Sequence, residues 1–70
     1  MTRGESMRAA RIKAGFTQGA LADEAGIMRN TLGRIERDEH IGRIDTIELL
    51  ADVLGISIDE YIGHEVKANG

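Results

Sequence analysis

With 70 residues the chain holds one domain at most, and a core of that size supports a net stability of roughly 3–5 kcal/mol. The absence of cysteine excludes disulfides and thiolate metal sites, and the most apolar stretch, 41–58, is too often interrupted by Arg43, Asp45, Glu48 and Asp52 to span a bilayer. The net charge of −3 conceals an asymmetry: residues 1–37 carry seven cations against four carboxylates, and residues 38–70 carry two against eight. A basic half can face phosphates while an acidic half faces away. Met1 is followed by polar residues, so no signal peptide is expected. The lack of cysteine fits a reducing cytoplasm, which is the expected location.

Glycines at 15, 26, 42, 55 and 63 divide the chain into segments of helical length, and no sustained period-two run suggests a strand. A first helix over about 5–14 places Met7, Ala10, Arg11 and Ala14 on one face. Thr17 is suited to cap a second helix over 18–25, with Leu21, Ala22 and Ala25 inward. A third helix over 29–37 turns Leu32 and Ile35 inward. The fourth, over 44–54, has the clearest period: Ile44, Ile47, Leu50, Ala51 and Leu54. Ser57 and Glu60 have capping-box spacing and open a short fifth helix ending near Ile62 and Gly63. The expected organisation is one all-α domain of five short helices over 1–63, with a flexible tail over 64–70.

The second and third helices carry the function. Two short helices joined by a tight turn with glycine make a helix-turn-helix. Ala22 is small enough for the steep crossing, Gly26 makes the turn, Ile27 pins it, and Leu32 and Ile35 bury the second helix.

The stretch FTQGALADEAGIMRNTLGRIER, followed by IDTIELLADVLGISIDEYI, resembles the Xre family of helix-turn-helix regulators, the lambda repressor and Cro-like domain. The resemblance spans residues 7–62. It implies a sequence-specific, double-stranded DNA-binding transcriptional regulator of repressor type, acting as a homodimer on a palindromic operator. The third helix would lie in the major groove. Arg29, Asn30 and Arg34 would then read bases, because Arg pairs bidentately with guanine and Asn with adenine. Met28 would either touch a thymine methyl or fill core. Thr17, Gln18, Arg37, Arg43 and Thr46 would hold phosphates; His40 reads as a loop residue. Arg11 and Glu36 would form a buried structural ion pair. Ile56, Ile58, Tyr61 and Ile62 would form a two-fold dimer interface or else close the monomer's core, with the dimer favoured.

The sequence departs from the family at Gly19, which weakens the first turn of the second helix. It departs again at Met28, which cannot cap the third. Asp38, Gly42 and Arg43 stand where the family often has Gly, Pro and Ser. His40 and His64 have neither metal-ligand spacing nor a nearby nucleophile motif, so no enzyme, metal or cofactor is expected. The competing readings on the same fold are an antitoxin, with a toxin as its main partner, and a restriction-modification controller protein.

Overall fold

A computed structural model of the chain describes residues 1–59 and Tyr61. Its described residues form four helices and no strand: α1 (Arg3–Lys13), α2 (Gln18–Ala25), α3 (Arg29–Glu36) and α4 (Ile44–Leu54). Five helices were expected; four are found. Among the described residues after Gly55, the Tyr61 N–H donates to the Ser57 carbonyl at 3.3 Å, and Ile58, Asp59 and Tyr61 have helical backbone. That turn falls short of the fifth helix expected from Ser57 to near Ile62: nucleating so short a helix is costly, and the span is described only in part. Glu60, Ile62 and the expected tail over 64–70 lie outside the described residues.

The helix starts follow from their caps. α1 begins two residues before the expected 5–14 because Thr2 and Glu5 form a capping box. The Thr2 hydroxyl accepts from the Glu5 N–H at 3.1 Å, and the Glu5 carboxylate accepts from the Thr2 N–H at 2.8 Å. Thr17 caps α2 by accepting from the Ala20 N–H at 3.1 Å. Neither Met28 before α3 nor Arg43 before α4 makes a side-chain cap bond.

Each of these four helices ends in the same motif. A left-handed residue donates its N–H three residues back, and the next residue donates five back. The left-handed residues are Gly15, Gly26, Asp38 and Gly55. The longer bonds run from Phe16 to Arg11, Ile27 to Ala22, Glu39 to Arg34 and Ile56 to Ala51, at 2.9–3.1 Å. Asp38, at φ 60°, takes the position that glycine takes in the other three. Asp is among the few side chains that visit this region without a large penalty.

Met7, Leu21, Leu32, Ile35 and Leu50 are fully buried, and Ala22, Ala25, Ile47 and Tyr61 complete the core. Each large side chain of this set contributes roughly 1.5–3 kcal/mol on burial. α3 packs against α1 and α2, and α2 also packs against α4. Ile44 was expected on the inner face of α4 but is 60% exposed. It is the first residue of the helix, one turn before Ile47, where the buried stripe begins.

The N-terminus of α1 is clasped to the end of α3. The Asp38 carboxylate accepts from the Thr2 hydroxyl at 2.6 Å and from the Gly4 N–H at 2.9 Å. Gly4 permits this approach: a Cβ there would lie 2.5 Å from the Glu36 carbonyl oxygen and 2.7 Å from that of Ile35.

Candidate nucleic-acid interface

α3 buries Leu32 and Ile35, so its opposite face, with Arg29, Asn30 and Arg34, is exposed. Gln18, Arg29, Asn30, Gly33 and Arg37 line a shallow groove on that side, where the start of α2 meets α3. Three charged or amide groups from α3 and its end thus converge with one amide from α2. Arg34 is exposed beside them. Met28 is 72% exposed at the start of α3, which removes it from the core. Because Met28 provides no cap, the first-turn N–H groups of α3 have no side-chain acceptor from that position.

Gln18 is aimed from beneath. Its Nε2 donates to Glu36 Oε1 at 3.1 Å. The Glu36 side chain is only 2% exposed and also receives Arg11, Nε to Oε2 at 2.7 Å and Nη2 to Oε1 at 3.1 Å. Arg11 Nη1 donates to the Phe16 carbonyl at 2.9 Å. The buried Arg11–Glu36 pair therefore joins α1, the α1–α2 connection, α2 and α3, and its carboxylate fixes the amide that reaches the groove. A buried ion pair needs further hydrogen bonds, and here the Phe16 carbonyl and the Gln18 amide supply one each.

Arg37 lies along the groove over Gly33. A Cβ on Gly33 would sit 3.2 Å from Arg37 Nη1, so the missing side chain makes room for the guanidinium, while Gln18 Oε1 would be in ordinary contact at 3.8 Å. Arg37 is also gripped by Glu39, Nε to Oε2 at 2.8 Å and Nη2 to Oε1 at 3.2 Å. That hydrogen bond and charge hold the guanidinium above its ordinary pKa and the Glu39 carboxyl below its own. The roles of Glu39 and Gly33 toward Arg37 were not read from sequence. An Arg-x-Glu spacing on a polar surface has no signature of its own.

The Thr17 hydroxyl accepts the Ala20 N–H in the α2 cap, and its chemistry leaves it able to donate as well. Arg43 and Thr46 stand at the start of α4 and are not among the groove's lining residues. Arg43 lies 3.4 Å from Asp45, whose carboxylate accepts the Thr46 N–H at 2.9 Å. Ile56 and Ile58 are half-buried, Tyr61 is buried in the core, and Ile62 lies outside the described residues. Among the described residues no cluster of His, Asp and Glu could hold a metal ion, and no helix is long and apolar enough to cross a membrane.

A family model described as helix-turn-helix matches residues 7–61. The immunity repressor protein of Bacillus phage phi105 is 37% identical over 65 residues, covering 93% of this chain and 45% of that protein. The HTH-type transcriptional regulator ImmR of Bacillus subtilis (strain 168) is 34% identical over 65 residues, covering 93% of this chain and 51% of that protein. The chain thus spans about half the length of these curated relatives. Among solved structures, the P22 c2 repressor in complex with a synthetic operator superposes with a TM-score of 0.82 at 28% identity, over 87% of this chain and 92% of that one. The SinR–SinI complex gives 0.84 at 24% identity, over 93% of this chain and 64% of that one, a likeness of fold alone.

Proposed function

Because the chain belongs to the Xre-like helix-turn-helix family, we propose that it is a repressor-type regulator that reads a specific DNA operator with α3 in the major groove. The observation that carries this reading is the groove: Gln18, Arg29, Asn30 and Arg37 gather over Gly33 on the exposed face of α3. Arg29, Asn30 and Arg34 carry the donors and acceptors that distinguish base pairs in a major groove. Gln18, Thr17 and Arg37 supply phosphate anchors that set register without reading sequence. The P22 repressor, bound to a synthetic operator, supports the same docking for this chain. Arg43 and Thr46, at the start of α4, are proposed as outer phosphate contacts. The proposed role is binding in the cytoplasm, not catalysis.

The proposed assembly is a homodimer on a palindrome, with recognition helices about one DNA turn apart, roughly 34 Å. Ile56 and Ile58 are the described apolar residues offered for that contact; Tyr61 serves the core instead. Selection of random duplex DNA by the purified protein tests the whole reading. Enrichment of a palindromic site supports operator and dimer together. Enrichment of a single half-site removes the dimer, and no enrichment favours a protein-interaction module such as an antitoxin.

A further inference from the structure

Glu39 holds Arg37, a residue proposed above as a phosphate anchor. Its carboxylate occupies the Arg37 guanidinium fork with two hydrogen bonds, at 2.8 and 3.2 Å. A guanidinium offers that same planar fork to phosphate. Both partners are solvent-accessible, with side chains 56% and 52% exposed, so the pair can exchange.

The spacing is set by the backbone. Asp38 turns left-handed, and the Glu39 N–H then donates to the Arg34 carbonyl at 2.9 Å, which returns Glu39 over the end of α3. Asp38 is itself held there by Thr2 and Gly4 of the α1 start. Glu39 is therefore carried on a fixed turn next to a groove-lining arginine. The Arg37 hydrogen bond, followed by the Arg37 and Arg34 charges, keeps its carboxyl below the ordinary range, so it is ionised at neutral pH.

We infer that Glu39 is an affinity-setting residue: it acts as an internal phosphate stand-in that DNA must displace from Arg37. This inference rests on the proposed DNA-binding face. It assigns to an acidic residue a role in nucleic-acid binding that charge counting would assign only to the cations. The exchange costs binding free energy on every duplex. Neutralising Glu39 frees the Arg37 fork before DNA arrives.

The test is a double-mutant cycle read by fluorescence anisotropy. The probes are a duplex selected by the wild-type protein from a random pool and a scrambled duplex of equal length. Glu39→Gln is expected to bind both about three- to fivefold tighter at about 0.1 M salt, the scale of one exposed ion pair. In an Arg37→Ala background the same change is expected to gain no more than about 1.5-fold, because nothing remains to be released. Asp52→Asn, an exposed site on α4 with the same change of charge, serves as the control. An equal gain from Asp52→Asn, an undiminished gain without Arg37, or no gain at all would overturn the inference while leaving DNA binding in place. Wild-type protein that binds neither duplex would overturn the DNA-binding reading itself, and this inference with it.

Discussion

Glu36 accepts three hydrogen bonds while its side chain is almost fully removed from water. Two come from Arg11 and one from Gln18, so stability and site geometry share a single carboxylate. Arg11→Ala would leave that charge buried with only the Gln18 amide. The expected loss is about 3–5 kcal/mol, close to the whole stability of so small a domain. Urea unfolding checks it, and a loss below about 1 kcal/mol would mean that water readily replaces the guanidinium. Asp38 works differently. Hydrogen bonds from the Thr2 hydroxyl and then the Gly4 N–H hold its carboxyl below the ordinary range. A folded pKa below the unfolded one stabilises the protein fully above the unfolded value, near pH 4, and the contribution fades as pH falls through the folded value. Asp38→Asn keeps a side chain that tolerates left-handed backbone but loses the charge. Wild type should therefore melt above the variant at pH 7, and the gap should close as pH falls below about 4. A gap independent of pH would assign the effect to shape rather than ionisation.

At the level of elements, α2 and α4 were legible with their bounds because caps and period agreed. Thr17 stands before α2, glycines follow both helices, and Ile47, Leu50 and Ala51 repeat at helical spacing. The start of α1 was also written in the sequence, as Thr2 followed by Glu5, but the apolar period begins later and drew the expected boundary inward. The clasp between Asp38 and α1 was not legible. It joins residues 34 and 36 positions apart, and local propensity carries no trace of such a bond. Ile44 fits the period of α4 yet lies outside the core, because period gives a face and not how far along it burial extends. Two glycines separate helix stability from site geometry. Gly19 has open space where a Cβ would go, so Gly19→Ala should stabilise the fold by about 0.5–1 kcal/mol and leave binding of a selected duplex unchanged. At Gly33 the added Cβ meets Arg37 at 3.2 Å, the far end of a flexible side chain. Gly33→Ala should be neutral or stabilising for folding yet weaken duplex binding. Thermal melts paired with binding isotherms check both, and equal behaviour of the two variants would count against the groove.

Across the whole molecule the charge is unevenly spent. The net charge is −3, yet the groove on α3 is lined by two arginines and two amides, while the acidic residues concentrate after Arg37. Affinity for DNA should therefore be strongly salt-dependent despite the acidic total, since local phosphate neutralisation governs counterion release. Arg37→Ala should weaken binding on every duplex and reduce the slope of log affinity against log salt by about 0.9, the loss of one phosphate contact. An unchanged slope would take Arg37 off the phosphate path. The direct test of the central claim, that the exposed face of α3 reads bases, is Arg29→Ala. Its affinity is measured on the selected duplex and on a panel with each base pair substituted in turn. Discrimination of about 1–3 kcal/mol is expected to disappear at one base pair per half-site while preferences elsewhere persist. Weakening of equal size on every member of the panel, with all preferences intact, would contradict it.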